Sequence, residues 1–213
     1  MFPISDDIPS KRKPLVMWIF IIICVMVFLI QTEGITQMFG FIPVKFWFRG
    51  EWIQTITYIF LHGNLFHLLG NMYYLYIFGD NVEDKLGRFG FALLFILSGI
   101  GGALLHGIFY PYSHIPLVGA SGAISGVLSA YMIMFPTAGI YTYVFWYLVK
   151  VPAIIFIGFW VVMNYIYALS GVEVGVAWWA HIGGFLVGIP FGVIGRLKMF
   201  LQGEGDEDIQ LFT

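Results

Sequence analysis

Six long apolar segments constrain the fold of this chain more than any other feature of its sequence. Each is about 20 residues long, which is the length an α-helix needs to cross the hydrocarbon core of a bilayer. Because 60% of the residues are hydrophobic and only 10% are charged, a soluble domain has no means of burying so much apolar surface. The sequence therefore predicts an all-α, polytopic membrane protein with six transmembrane helices. The segments lie near residues 14–33, 55–78, 89–109, 118–136, 149–170 and 177–198.

The lysine and arginine residues predict the orientation of this bundle. With the N-terminus inside, eight of these residues fall on the inner side and two, Lys45 and Arg49, on the outer side. Because positive charge accumulates on cytoplasmic loops, we expect both termini in the cytoplasm and the protein in a prokaryotic plasma membrane. The expected parts are a cytoplasmic N-terminal segment (1–13), the membrane domain (14–198) and a cytoplasmic acidic tail (199–213).

Charge and composition also exclude some classes of function. The net charge of -2, without a basic stripe, argues against a nucleic-acid partner. No internal repeat supports a transporter of the inverted-repeat type. We expect no metal and no cofactor, and the sequence does not determine the oligomeric state. The loop from Glu33 to Trp52, which mixes aromatic and basic residues, is expected to lie in the outer membrane interface.

Two polar residues inside the apolar segments indicate chemistry. Ser121 lies at the outer end of the fourth segment, and His181 lies about one turn into the sixth from the same side. A polar side chain at this depth is costly, so each is a candidate functional residue. Serine and histidine at hydrogen-bond distance form a nucleophile and its base. Each also has an ordinary interpretation, as a small packing residue and as a helix-to-helix hydrogen bond.

The spacing of small residues favours contact between these two segments. Steps of three and four residues from His181 follow one helix face, and close approach of two helices requires small residues. On the sixth segment this face carries Gly184, Gly188 and Gly192. On the fourth, one row holds Ser121, Ser125 and Ser129, and the neighbouring row holds Gly122 and Gly126. We therefore expect the hydroxyl of Ser121 to reach the imidazole of His181.

The second segment adds two candidate donors for an oxyanion. His67 and Asn71 are four residues apart near its outer end and share one helix face. Together with the amide of Ser121 they are suited to bind a developing negative charge, although a polar contact that stabilises the loops is the alternative for His67. His62 is expected to have only that structural role. No intramembrane Asp or Glu is placed to orient His181, so we predict a dyad in which packing fixes the imidazole.

These elements resemble the rhomboid intramembrane serine proteases across residues 14–198. The matching elements are His67-x-x-x-Asn71 on helix two, Gly119-Ala120-Ser121-Gly122 on helix four and Ala180-His181-x-Gly183 on helix six. They occur in the order that the family shows. The resemblance implies a six-helix rhomboid-like bundle and a serine endopeptidase that cleaves transmembrane segments of other membrane proteins near the outer face. It makes Ser121 the nucleophile, His181 the general base and acid, and His67 and Asn71 the oxyanion donors.

The resemblance carries further expectations. Substrates would enter sideways from the bilayer between helices two and five, and Glu83 would have a structural role. Gln54 stands where an arginine is usual, which predicts weaker anchoring of the outer loop. Ser125 replaces an aromatic residue that stacks on the histidine in some members, so His181 would be held either less rigidly or by another ring such as Trp178. The alternatives are a catalytically silent rhomboid-like protein that binds transmembrane clients, and a small channel or transporter.

Overall fold

The computed structural model describes residues 2–171 and 175–203 and is mostly helical. The acidic run from Glu204 to Asp208 lies outside these residues, as does Glu173. The described helices are α1 (Leu15–Ile30), α2 (Glu33–Phe39), α3 (Pro43–Arg49), α4 (Gln54–Thr57), α5 (Leu65–Phe109), α6 (Ser121–Met134), α7 (Ala153–Ser170) and α8 (Trp178–Leu201). The described strands are β1 (Phe2–Ser5), β2 (Gly139–Val144) and β3 (Tyr147–Pro152).

Helix α5 contains the third predicted segment but only residues 65–78 of the second, because residues 55–64 belong to α4 and to the short turn and loop that follow it. It is 45 residues long and bends at Gly87, whose φ of 75° lies in the left-handed region that favours glycine. Within the described residues, α5, α7 and α8 are long and apolar enough to cross a membrane, and α1 and α6 are shorter apolar helices. The chain is thus a helical membrane protein. Gly87 divides α5 into a first arm, residues 65–86, and a second arm, residues 88–109. Six crossings, with each arm counted as one, remain a prediction.

A small antiparallel sheet corrects the all-α expectation. Its strand order is β1-β2-β3, and β2 and β3 form a hairpin whose turn includes Phe145, with φ of 53°. Residues 149–152 were expected to begin the fifth transmembrane segment but belong to β3, so α7 begins only at Ala153. The valine, tyrosine and threonine content of 139–151 favours strand, because branched and aromatic side chains suit a pleated surface.

Two aspartates fasten the N-terminal strand to the membrane domain. Asp6 accepts hydrogen bonds from the Asn81 amide at 2.7 Å and from the Tyr131 hydroxyl at 2.6 Å. Asp7 accepts from the Gly139 amide at 2.8 Å and pairs with Lys150 at 2.7 Å. Burial raises the pKa of Asp6, and its hydrogen bonds partly oppose this. The expected cytoplasmic segment 1–13 is therefore packed against the bundle at residues 2–7.

The carboxylate of Glu83 caps the N-terminus of α1. Its two carboxylate oxygens accept from the amides of Val16 at 3.0 Å and Met17 at 2.8 Å, in the first turn of α1. The first amides of a helix have no partner within the helix, and a carboxylate also suits its positive end. The structural role expected for Glu83 is thus explained by a contact between α1 and the first arm of α5.

Gln54 anchors the outer loop, contrary to the weaker anchoring expected from the missing arginine. Its side chain is 1% exposed and accepts from the Ile42 amide at 3.2 Å. Its Nε2 donates to the Met38 carbonyl at 3.1 Å and to the Glu51 carboxylate at 2.7 Å. One amide therefore joins three points of the loop that contains α2 and α3. The position of this loop in the membrane interface stays a prediction.

Candidate active site

Ser121 and His181 face each other across the contact between α6 and α8. Ser121 is the first residue of α6, and His181 lies in the first turn of α8. The serine Oγ and the histidine Nε2 are 2.8 Å apart, which is a hydrogen-bond distance. Both side chains are partly buried. The expected contact is present, and the catalytic roles of the two residues remain a prediction.

Glycines allow the two helices to approach closely enough for this contact. A Cβ placed on Gly184 would overlap the Gly122 carbonyl, and one placed on Gly188 would overlap the Gly126 carbonyl. The predicted glycine face of α8 therefore packs against the glycine row of α6, backbone to backbone. Ser125 does not face the imidazole, because its hydroxyl donates to the Ser121 carbonyl at 2.6 Å.

A third polar side chain reaches the imidazole, so packing alone does not fix it as expected. Asn164 of α7 has its Oδ1 at 2.7 Å from His181 Nδ1. The ring also contacts two tryptophans, with centroids 5.7 Å from Trp160 and 6.1 Å from Trp178. Asn164 is a buried amide in the middle of an apolar segment. The rule that intramembrane polar residues mark functional sites points to it as it does to Ser121.

His67 and Asn71 converge on the backbone just before Ser121. A Cβ placed on Gly119 would lie 2.7 Å from His67 Nε2 and 3.5 Å from Asn71 Nδ2. Gly119 has φ of 122°, so both its conformation and its surroundings require glycine. The Nδ1 of His67 accepts from the Gly63 amide at 3.4 Å, which leaves Nε2 to carry the ring hydrogen and donate.

The side-chain amide of Asn71 is buried and has no acceptor among the described residues. Its side chain is 8% exposed, and its Nδ2 has no hydrogen-bond partner among the described residues. An unsatisfied buried donor is costly, and such groups are often explained by a ligand. Ser121 is the first residue of α6, and helix amides at this end are unpaired while the dipole favours negative charge. The assignment of His67, Asn71 and the Ser121 amide to an oxyanion site remains a prediction.

The remaining histidines lie apart from this contact. His62 is 1% exposed, and its ring centroid is 5.3 Å from that of His67. Neither of its ring nitrogens has a hydrogen-bond partner among the described residues. Its main-chain carbonyl and amide both bond to the Gln31 side chain at 3.0 Å, so the polar contacts that suit a structural role are made by its backbone. His106 packs against Tyr110 with centroids 5.0 Å apart, and His114 is exposed.

Comparison with known proteins identifies relatives of this chain. Residues 49–198 match the Rhomboid domain. The chain is 28% identical to "Rhomboid-like protein 11, chloroplastic" of Arabidopsis thaliana, over 95% of this chain and 72% of that protein. It is 33% identical to "Rhomboid protein 1, mitochondrial" of Saccharomyces cerevisiae, over 66% of this chain and 41% of that protein. It is 40% identical to "Rhomboid protease GluP" of Bacillus subtilis, over 38% of this chain and 16% of that protein.

These relatives bear on the expected location. Their names place them in chloroplasts and mitochondria as well as in a bacterium. They agree with a membrane protein, but they do not support a prokaryotic plasma membrane over an organelle membrane. For the yeast and bacterial relatives, the chain spans less than half of the relative's length.

Proposed function

Because this chain belongs to the rhomboid family, we propose that it is an intramembrane serine endopeptidase that cleaves transmembrane segments of other membrane proteins. The observation that carries the proposal is the 2.8 Å separation of Ser121 Oγ and His181 Nε2. Two similar proteins of Bacillus subtilis, "Rhomboid protease GluP" and "Putative rhomboid protease YdcA", are named as proteases. A serine hydroxyl beside an imidazole is the arrangement that covalent acyl transfer requires.

The reaction follows from this pair. As Ser121 Oγ attacks the scissile carbonyl carbon, His181 Nε2 takes the hydroxyl proton, and the carbonyl oxygen becomes an oxyanion. The imidazolium then gives this proton to the leaving amine as the peptide C–N bond breaks. Water attacks the resulting ester in the same way, with His181 again as base, and Ser121 is regenerated. Nothing beyond water and the substrate is needed to balance these steps.

The oxyanion would form between the N-terminus of α6 and the first arm of α5. The Ser121 amide, the His67 Nε2–H and the Asn71 amide are the donors proposed to bind it. Asn71 supports this assignment most directly, because its buried Nδ2 has no partner among the described residues. A donor held ready in a site of low dielectric stabilises the transition state without reorganising.

The substrate would enter sideways, between the first arm of α5 and α7. Near the inner end these helices meet through Phe78 and Phe156, whose ring centroids are 6.4 Å apart. In the outer half of α7, Asn164 and Ala168 are the buried residues. In this half α7 contacts α8 through Asn164 and Tyr167, and its movement away from the first arm of α5 would admit a substrate. Small or helix-breaking residues at the cleavage point should help, because the nucleophile needs an extended backbone.

The test is cleavage of a fluorogenic transmembrane peptide in proteoliposomes. Ser121→Ala and His181→Ala are each expected to abolish cleavage while the protein stays folded, because they remove the nucleophile and its base. Wild-type activity should fall as the pH is lowered through the imidazole range, since the base must be neutral. Turnover by either variant at the wild-type rate would refute the assignment.

Fluorophosphonate labelling separates this proposal from the alternatives. The enzyme labels at Ser121, and a catalytically silent client-binding protein does not label at all. A channel or transporter would show flux in liposomes that survives Ser121→Ala.

A further inference from the structure

We infer that Asn164 is a positioning residue for His181, so that the site operates as a serine–histidine–asparagine triad and not as a dyad. The inference rests on the proposed protease function and concerns the same site. Its basis is the 2.7 Å contact between Asn164 Oδ1 and His181 Nδ1. An asparagine in this role has a parallel in the Cys-His-Asn site of papain-like proteases, where an amide orients the imidazole.

The orientation of the amide determines which tautomer the histidine adopts. Asn164 Nδ2 donates to the Trp160 carbonyl at 2.8 Å, and a carbonyl oxygen can only accept. Oδ1 is therefore the atom that faces His181, and it can only accept from Nδ1–H. The ring hydrogen is then held on Nδ1, and Nε2 keeps its lone pair for the Ser121 proton. The Trp160 carbonyl fixes the orientation of the Asn164 amide. The amide in turn selects the neutral tautomer of His181 that a base requires.

The position of Asn164 in α7 argues against an incidental polar residue. Its side chain is 4% exposed on a helix whose other buried residues are apolar. A buried amide in the membrane is costly unless all its groups are bonded, and here both ends of the amide have partners. The same orientation is not available from an acid, because no Asp or Glu contacts His181 among the described residues.

The arrangement also links α7 to the reacting histidine. Close to this bond, Tyr167 stacks on Trp178 with centroids 4.9 Å apart. Together with the contact between Trp160 and His181, this joins α7 to the start of α8 through two ring pairs and one hydrogen bond. An outward displacement of α7 would withdraw Oδ1 and free the imidazole to rotate. The triad is complete only when α7 is packed against α8, which restricts full reactivity to that state.

Asn164→Leu and Asn164→Asp test the inference, through kcat and KM for the transmembrane peptide across a pH series. The leucine variant keeps the size of the side chain and removes the acceptor. It should lower kcat by about 10- to 100-fold, with KM little changed; this is the loss typical when the hydrogen-bond partner of a metal-binding histidine is removed, and the partner here has the same orienting role. The aspartate variant should retain activity and move the acidic limb of its pH profile upward, because a carboxylate favours the protonated imidazole.

Asn81→Leu is the matched control. Asn81 is another buried amide, 2% exposed, but it bonds Asp6 next to the N-terminal strand. Its replacement should lower stability without moving the pH profile. If Asn164→Leu behaves in the same way, with unchanged kcat in the folded fraction, Asn164 is a structural residue and the inference is wrong. If wild type and Ser121→Ala are equally inactive, the proposed function fails instead.

Nitrogen-15 NMR of the imidazoles gives a readout that does not depend on proteolysis. The chain has five histidines, and His181→Asn identifies the signals of this ring. The wild type should show a protonated, strongly hydrogen-bonded Nδ1 and an unprotonated Nε2. Asn164→Leu should convert this signal to a mixture of tautomers. If the wild-type His181 ring is protonated on Nε2, the inference is wrong even if Asn164→Leu cleaves the peptide slowly.

Discussion

Single residues in this protein are explained by the bonds they lack as much as by those they make. Ser121, His181 and Asn164 form a continuous chain of hydrogen bonds from α6 through α8 to α7. Asn71, by contrast, is buried with an unpaired amide nitrogen. Ser121, His181 and Asn164 thus have partners without a substrate, whereas the proposed role of Asn71 is to donate to the oxyanion that forms during the reaction.

Asn71→Ala is expected to lower kcat by about 10- to 100-fold. Removal of a single oxyanion donor in a serine protease costs about 10²–10³ in kcat. The loss here should lie at or below the lower end of that range, because His67 and the Ser121 amide still donate. The measurement is single-turnover cleavage of the fluorogenic peptide. Ser129→Ala is the control, because its buried hydroxyl lies two turns further along α6. An unchanged rate in Asn71→Ala removes this residue from the oxyanion site.

At the scale of elements, the contact between α6 and α8 positions the site. It depends on glycine because main-chain atoms occupy the space that a Cβ would need. The carbonyl of Met134 at the end of α6 also accepts from Arg196 of α8 at 2.6 Å, so the two helices are joined at the end opposite the serine. Their spacing is therefore fixed along the whole length of α6.

Gly188→Ala is expected to force α6 and α8 apart. Overpacking of this kind costs about 1–3 kcal/mol, so thermal unfolding in detergent should occur at a lower temperature and cleavage should slow. Gly158→Ala makes the same chemical change on α7, where a Cβ meets nothing within 4 Å. That variant should be neutral or slightly stabilising. Equal effects of the two substitutions would show that the glycine contact does not set the spacing.

At the scale of the whole molecule, the sheet and the active site mark opposite ends of the bundle. Strand β1 pairs with β2, so the N-terminus and the hairpin must lie on one side of the membrane. The serine lies at the start of α6 and the hairpin follows its end, so the predicted crossing by α6 would put the site on the other side. The lysine and arginine distribution predicts that the hairpin side is the interior.

Cysteine labelling tests this sidedness. In a Cys24→Ala background, Trp146→Cys at the 91% exposed hairpin tip should react with a membrane-impermeant maleimide only after the inner face is opened. Trp52→Cys, in the outer loop and 65% exposed in the wild type, should react in intact cells or in vesicles of matching orientation. Labelling of both positions from one side would reject the proposed topology.

Much of the fold follows from the sequence, because membrane helices bond their own backbones. Hydrophobic length located most of each helical segment, although the second and fifth were predicted to begin before their helices do, and the glycine spacing indicated which faces of α6 and α8 meet. The hairpin was missed because 139–152 continues the apolar character of α7, and hydropathy does not distinguish a strand from a helix. Gln54 was misjudged because its three partners are brought together only by the folded outer loop.

The sequence by itself determined the membrane class, the helical segments and the two residues proposed to react, because length, hydropathy and the cost of a buried polar group are local properties. Only the tertiary structure decided what holds the imidazole. Asn164 and His181 are 17 residues apart on different helices, and the direction of an amide depends on every neighbour that its two ends meet in space.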